Sequence, residues 1–250
     1  MNWLRSTLAI YTRELLAYFY SPMYYAVATA FLLLLGLAFY FSVGVSSPQA
    51  PPPPAELSSV FHASVFFLTF IIPVVTMRLF AEEFRHGTIE PLMTAPLSDW
   101  QVVLGKYFAA LTVFVALYLP TAVFAVTLFI VGEPDPGKMA MGYVGVLLAA
   151  GLFTAVGLLA STLTRDQVVA AILGIIFNLS FWLVNAATRF DRVRETEWLR
   201  EALRYVVFYR HFDTMVSGVA DSRDIVYFVS FIVFLLFVAV RVVESRKWRV

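Results

Sequence analysis

The sequence predicts an all-α integral membrane protein with six transmembrane helices. Of its 250 residues, 60% are hydrophobic and 14% are charged, and the mean hydropathy is +0.80. A soluble domain cannot bury that much apolar surface. Six apolar runs approach or exceed the roughly 20 residues that a helix needs to cross a hydrocarbon core. Only helices and closed barrels satisfy their backbone in lipid, and no ten-residue alternating pattern indicates a barrel.

The six runs define the predicted spans of a single membrane domain that covers residues 1–250. The last run is the shortest, and flanking residues can extend it. The predicted spans are residues 23–45, 60–77, 107–131, 139–163, 168–187 and 225–240.

Three segments carry helix start signals. Ser21–Pro22 offers an N-cap followed by proline at the first helical position. Ser98–Gln101 and Thr164–Gln167 both have the spacing of a capping box ahead of an apolar run. We therefore expect helices to begin at all three.

Two prolines fall inside predicted spans. Pro73 and Pro120 remove backbone donors, so they are expected to disturb their helices and to release carbonyls near Thr69 and Ala116. Either proline can mark a hinge or a static bend.

The distribution of basic residues predicts the orientation. The two short loops at 46–59 and 132–138 together contain one basic residue, Lys138. The segment 188–223 contains seven arginines and six acidic residues. Despite that segment, the positive-inside rule predicts that both termini are cytoplasmic. The ten basic residues of the predicted cytoplasmic side are Arg5, Arg13, Arg78, Arg85, Lys106, Arg165, Arg241, Arg246, Lys247 and Arg249.

The predicted spans lack the groups that drive independent transport or catalysis. No Asp, Glu, Lys or Arg lies well inside them, and Asn178 is the most polar candidate. Ion-driven carriers usually need ionisable groups near the bilayer midplane. The chain has no cysteine, and its three histidines are too dispersed in sequence to indicate a metal site. These features predict neither catalytic nor cofactor-binding nor metal-ligating residues in this chain.

One phosphate-loop pattern is rejected. The stretch "GEPDPGKM", residues 132–139, fits Gly-x4-Gly-Lys, but Met139 replaces the hydroxyl that should ligate magnesium. Two prolines remove donors and no strand precedes the stretch. We interpret it as an external turn, so any energy for work comes from another subunit, and the chain is not itself an enzyme.

The segment "EEFRHGTIEPLMTAP", residues 82–96, is unusually charged for a connection between two spans. The second span is expected to continue as a helix to Phe84, and Gly87 permits a sharp change of direction. Its charges fit either a partner-docking element or a purely structural elbow.

The segment resembles the Glu-x-Arg-x-Gly-Thr-x-Glu-x-Leu signature of permease subunits of type-2 ABC exporters. The stretches "DWQVVLGKY" and "ASTLTRDQVVAA" are also similar to that family, and the likeness covers nearly the whole chain. "YRHFDTMVSGVADSRDIVYFVSF" resembles its gliding-motility-associated branch, with nitrous-oxide-reductase maturation permeases as relatives. The matching signature positions are Glu83, Arg85, Gly87, Thr88, Glu90 and Leu92.

The resemblance implies partners and a mechanism. Two permease subunits, identical or different, would pair in a bacterial inner membrane, and each would rest on a cytoplasmic ATPase subunit that holds ATP and magnesium. The loop between spans two and three would be a coupling helix docked on that ATPase, and the turn at 161–167 a smaller contact. The implied coupling residues are Glu83, Arg85, His86, Gly87, Thr88, Glu90, Leu92 and Arg165.

Two amphipathic helices are predicted outside the spans. The first resembles the family's interfacial helix, with Arg5 and Arg13 near anionic lipid. Its apolar stripe is Trp3, Leu4, Leu8, Tyr11, Leu15, Tyr18 and Phe19. The second would lie on the external surface between spans five and six, with lipid head groups, a substrate or an extracytoplasmic partner as candidate contacts of its arginines. Its stripe is Trp198, Leu199, Ala202, Leu203 and Val206.

The predicted function is that of the membrane-spanning permease of an ATP-driven ABC complex, which converts hydrolysis on a separate subunit into export or mechanical work. Two alternatives remain open at the level of sequence. One is a non-transporting scaffold of a motility or maturation complex. The other is an independent secondary transporter.

Overall fold

The computed structural model describes residues 3–44, 56–87, 98–187 and 207–247, which are helical apart from short turns and contain no strand. The helices are α1 (Trp3–Phe19), α2 (Pro22–Gly44), α3 (Ser58–Thr76), α4 (Arg78–His86), α5 (Asp99–Tyr118), α6 (Ala122–Val131), α7 (Pro136–Leu163), α8 (Gln167–Ala187), α9 (Phe208–Val216) and α10 (Ser222–Lys247).

The described helices supply six candidate membrane spans, as predicted. Two spans are composite: α3 and α4 follow each other as Ser58–His86, and α5 and α6 as Asp99–Val131. The other four are α2, α7, α8 and α10. The all-helical fold class is therefore confirmed.

Helix α7 is the centre of the bundle. Of its most apolar 18-residue window 78% is buried, compared with 11% for α2 and 22% for α8 and α10. It packs against α3, α8, α9 and α10. Since α2, α8 and α10 keep most of their apolar surface exposed, that surface is available to lipid or to another membrane subunit.

Two of the three predicted helix starts are confirmed, and the capping residue of the third differs from the prediction. Helix α2 begins at Pro22, and Ser98 forms both bonds of a capping box with Gln101. The box predicted at Thr164 is wrong: Asp166 caps α8 by accepting from the amides of Val168 and Val169, at 2.8 and 3.1 Å. A carboxylate one residue before the helix reaches the free amides directly, whereas Thr164 accepts only from the amide of Asp166.

The stretch rejected as a phosphate loop begins a helix. Asp135 accepts from the amides of Gly137 and Lys138, and Pro136 occupies the first position of α7. The carboxylate thus takes the amides that a phosphate would need.

The two prolines disturb their spans in different ways. At Pro120 the helix tightens into a 3₁₀ turn, Leu119–Thr121, between α5 and α6. At Pro73 helix α3 continues, and the Thr69 carbonyl accepts from Nδ2 of the fully buried Asn178 on α8, at 3.4 Å. The expected release of a carbonyl at Thr69 is therefore confirmed, and its substitute donor comes from a neighbouring span.

This interpretation predicts a coupling between Pro73 and Asn178. We expect Asn178→Leu to lower the free energy of unfolding by about 0.5–1 kcal/mol, because Thr69 loses its donor. In a Pro73→Ala background the restored amide bonds Thr69 within α3, so the same change should cost close to nothing. Unfolding of the four proteins in detergent micelles gives the double-mutant cycle. Equal losses in both backgrounds would contradict the interpretation.

Helix α9 packs against the spans α7, α8 and α10 at the end of the bundle away from α4. Its buried face consists of Phe208, Phe212, Met215 and Val216. Two histidine–carboxylate contacts fix it to spans: His62 Nε2 of α3 lies 3.1 Å from Asp213, and His211 Nδ1 lies 2.6 Å from Asp224 of α10. The stripe predicted over 198–206 lies outside the described residues.

Candidate functional site

The candidate site is at the basic end of the bundle, which we define by residues 78–87, 98–106, 164–167 and 241–247. Helix α4 carries span two into this end. Leu79, Phe80 and Ala81 are buried, whereas Arg85, His86 and Gly87 are exposed. Helix α4 therefore has one face packed against the protein and a free tip.

The free tip ends in a left-handed turn. Gly87 has φ 70° and forms the C-cap of α4, a conformation that side chains disfavour. Gly87 thus has the left-handed conformation that permits the expected change of direction, and the residues that follow it lie outside the described part of the chain.

Behind the tip lies a cluster of four charged side chains, which we call the latch: Arg13, Glu14, Glu83 and Lys106. The Lys106 side chain is 1% exposed, and its Nζ lies 2.9 Å from a carboxylate oxygen of Glu14 and 2.9 Å from one of Glu83. It also donates to the Leu79 carbonyl at 2.7 Å. The ammonium thus donates hydrogen bonds to Glu14 and to the Leu79 carbonyl and forms an ion pair with Glu83.

Arg13 closes the latch from the solvent side. Its Nη2 lies 2.7 Å from Glu14 and 2.9 Å from Glu83, so two cations share two carboxylates. Buried charges are tolerated when they are paired, and here two positive and two negative charges cancel. One oxygen of the latch, Glu83 Oε2, is buried without a hydrogen-bond partner among the described residues. The latch joins α1, α4 and α5.

The shared charges also set the protonation states. Burial alone would raise the pKa of Glu14, but Lys106 and Arg13 outweigh it and hold that pKa below its ordinary value. Burial likewise opposes the charge on Arg13, yet Glu14 and Glu83 raise its pKa. Both groups therefore stay ionised at neutral pH, and the latch remains closed there.

Helix α1 is held against α5 by further contacts. Ile10 packs onto Gly105, Gln101 donates to the Trp3 carbonyl at 3.1 Å, and Tyr11 donates to Thr112 at 3.1 Å. Ile10, which is not part of the predicted stripe, faces the protein together with Ser6 and the stripe residue Tyr18. The stripe residues Trp3, Leu4 and Leu8 are exposed by 48%, 73% and 59%, so that face is free to contact lipid.

Helix α4 contacts α10 through Phe84, the residue before the exposed Arg85. The Arg246 guanidinium lies 4.5 Å from the centre of the Phe84 ring. Helix α4 also packs against α7 and α8, whose connecting turn carries the exposed Arg165. The tip of α4 and Arg165 therefore lie at the same end of the molecule.

The predicted site residues divide into three groups. Arg85, His86, Gly87 and Arg165 are exposed, whereas Glu83 points into the latch and keeps only 14% of its side chain exposed. Of the residues predicted for α1, Arg5 is exposed and Arg13 belongs to the latch. Three predicted coupling residues, Thr88, Glu90 and Leu92, lie outside the described residues.

The sequence did not predict two residues of the latch, Glu14 and Lys106, as site residues. Glu14 and Lys106 are 92 positions apart, and nothing local indicates that they meet. The available signal was Lys106 itself, a single charge within an apolar helical stretch, because a charged side chain is rarely buried unless it is paired.

The six candidate spans define a multi-pass membrane protein, and Arg85, His86 and Arg165 are exposed at its basic end. The sequence pattern of the ABC-2 family transporter proteins matches residues 8–245, so the chain belongs to this family. The family is one of ABC transporter permeases, which generally act as dimers with an ABC ATPase.

Two curated relatives share part of the chain. Both are described as "Probable multidrug ABC transporter permease YbhR", one from Escherichia coli strain K12 and one from Escherichia coli O157:H7. Each is 31% identical over 99 residues, which are 40% of this chain and 26% of the relative. The match therefore spans about a quarter of their length.

Proposed function

We propose that this chain couples ATP hydrolysis by a separate ATPase subunit to export or mechanical work across a bacterial inner membrane. In this proposal the basic end is cytoplasmic, in agreement with its excess of arginine and lysine. The observation that carries the proposal is the free tip of α4 backed by a rigid latch. A force applied to such a tip moves α1, α4 and α5 together.

The proposed docking surface starts at Arg85 and continues into residues 88–94, with Arg165 as a second contact. Arg85, His86 and Arg165 are exposed at one end, where they are available to a partner. Glu83 contributes indirectly, because its carboxylate holds Arg13 and Lys106. The coupling role predicted for Thr88, Glu90 and Leu92 is part of the proposal.

The partner chemistry follows from these exposed groups. A guanidinium binds a carboxylate through two parallel hydrogen bonds when both are shielded from water. We therefore propose that the ATPase surface facing Arg85 is acidic. We further propose that two permease subunits pair, and that the chain belongs to the gliding-motility-associated branch that its 209–231 segment resembles.

The docking proposal predicts the effect of reversing one charge. Arg85→Glu should reduce the amount of ATPase subunit that copurifies with the chain by about tenfold, equivalent to about 1.4 kcal/mol. Membrane insertion should be unchanged, because the side chain is exposed. Glu83→Lys is less informative here, since it also breaks the latch. The matched control is Arg241→Glu, at the same end but on α10, where the arginine pairs with Glu244 at 2.8 Å.

Cross-linking tests the same contact directly. The chain has no cysteine, so a single introduced thiol is unique. Arg85→Cys should cross-link to the ATPase subunit, and Glu244→Cys, which replaces a side chain 43% exposed on α10, should not. Transport in vesicles by the chain alone, or equal cross-linking from both positions, would overturn the proposed function.

A further inference from the structure

Arg78 is a further basic residue at the basic end of the bundle. Arg78 is the first residue of α4 and lies 20 positions after Ser58, the first residue of α3. At 1.5 Å per residue these positions are about 30 Å apart, which is the thickness of a hydrocarbon core. If Ser58 marks one boundary of the core, Arg78 lies at the other, at the level of the lipid phosphates.

The Arg78 guanidinium is held in a fixed position but is not fully bonded. It stacks 3.9 Å from the centre of the Tyr18 ring, and the Tyr18 hydroxyl is itself tied to the Val75 carbonyl at 2.8 Å. Its Nη2 atom is buried and has no hydrogen-bond partner within the described part of the chain. A buried, charged donor without an acceptor is costly, so a missing acceptor is expected.

Arg241 provides an internal comparison. It also lies at the basic end of a span and over an aromatic ring, 5.0 Å from the centre of Phe237. Unlike Arg78, it has a carboxylate partner, Glu244, at 2.8 Å. Both arginines thus lie over an aromatic ring at the basic end, but Arg241 is exposed and has a carboxylate partner, whereas the Arg78 Nη2 atom is buried and has no partner among the described residues.

A shallow groove runs from Arg78 between the start of α2 and the end of α3. Arg78 and Ser21 provide its polar end, and Tyr24, Val27 and Val74 are among its apolar walls. Met23, also on its wall, is 39% exposed, so the groove is open at the surface that would face lipid. Its lining is thus polar at one end and apolar along the rest, as a phospholipid is.

We propose that Arg78 and this groove bind a phospholipid of the leaflet at the basic end. The phosphodiester accepts hydrogen bonds from the Arg78 guanidinium, and an acyl chain lies against Val27 and Val74. Arginine–phosphate bonds are charge-assisted, and anionic lipid adds long-range attraction. A modest movement of the groove walls brings the phosphate to Nη2. The lipid thereby joins α1, α2 and α3 at a point that the latch does not reach.

Native mass spectrometry of the delipidated, detergent-solubilised chain tests the site, with phosphatidylglycerol as the probe. We expect Arg78→Gln to weaken the tightest bound lipid by about tenfold and Arg241→Gln to change it by less than twofold. Diacylglycerol, which lacks the phosphate, should bind the wild-type chain about tenfold more weakly than phosphatidylglycerol. It should bind the wild-type chain and the Arg78→Gln variant equally.

Two further arms separate the alternatives. Millimolar inorganic phosphate should not displace the lipid; displacement would identify a site for soluble phosphate and overturn the proposal. If Arg78→Gln does not fold, Arg78→Lys keeps the charge but loses the planar fork, and a loss of threefold or more is then expected. Wild-type affinity in every Arg78 variant that folds would also overturn it. None of these readouts depends on an ATPase partner.

Discussion

Replacing Lys106 with methionine is expected to lower the free energy of unfolding by about 3–5 kcal/mol. Methionine preserves the length of the side chain, so the loss reflects charge rather than volume. It leaves Glu14 and Glu83 facing each other with only Arg13 between them, and it removes the donor of the Leu79 carbonyl. Unfolding of the purified chain in mixed micelles measures the change.

Lys138→Met is the matched control for this change. Lys138 also pairs with a carboxylate, Glu56 at 3.0 Å, but both side chains are about 40% exposed. Exposed pairs of this kind contribute between 0 and about 1 kcal/mol. A loss in Lys106→Met no larger than that in Lys138→Met would show that the latch does not stabilise the basic end.

A second variant distinguishes charge balance from simple loss of contacts. Lys106→Met combined with Glu14→Gln restores neutrality, because Arg13 and Glu83 remain as one pair. We expect the double variant to be more stable than Lys106→Met alone, although it has lost one more charged group. Additive losses would indicate that the four groups contribute independently.

The latch also links α1 to the proposed docking tip. Helix α1 offers an exposed apolar face, and its buried residues Ser6, Ile10 and Tyr18 face the protein. Through Arg13 and Glu14 it shares charges with the helix that ends in the proposed docking tip. In the proposed function, movement of the tip would therefore act on a helix with an exposed apolar face as well as on span three.

Sequence reasoning predicts the spans well because their signals are local. Hydropathy and length are properties of consecutive residues, and Ser98 and Gln101 form their capping box within one turn. The capping box predicted at Thr164 is wrong. Its spacing to Gln167 suits a box, but the carboxylate of Asp166 is better placed to accept from the first amides of the helix. Local patterns decide local structure only where no stronger neighbour competes.

The pairings between spans are not encoded in any local pattern. Lys106 contributes to the positive-inside count like any other basic residue, and its burial follows only once α1 and α4 pack on α5. The sequence assigned Glu83 to a partner contact, whereas its side chain points into the latch. Likewise, hydropathy does not distinguish α7 from α2, yet α7, which is richer in glycine, is central and α2 peripheral.

Three helices meet where the backbones approach most closely. Gly157 of α7 lies against Thr76 of α3, and Gly174 of α8 lies against Pro73. Small residues allow such close contact, on which helix association in lipid depends. This crossing lies between the proline of span two and the start of α4, so it fixes the point from which the docking tip projects.

Gly157→Ala is therefore expected to destabilise the bundle by about 1–3 kcal/mol. The new Cβ would lie 2.1 Å from the Thr76 hydroxyl oxygen and 3.1 Å from its Cβ. Rotating Thr76 breaks its 2.9 Å bond to the Ile72 carbonyl and leaves the second contact unrelieved, so α3 and α7 must separate.

The matched control for Gly157→Ala is Gly36→Ala on α2, where a Cβ meets nothing within 4 Å. Because alanine favours helix over glycine, that variant should be unchanged or more stable by up to about 1 kcal/mol. Adding Thr76→Ala to Gly157→Ala removes the nearest atom and should recover part of the loss. Equal melting temperatures for Gly157→Ala and Gly36→Ala in detergent would show that α3 and α7 do not meet at this glycine.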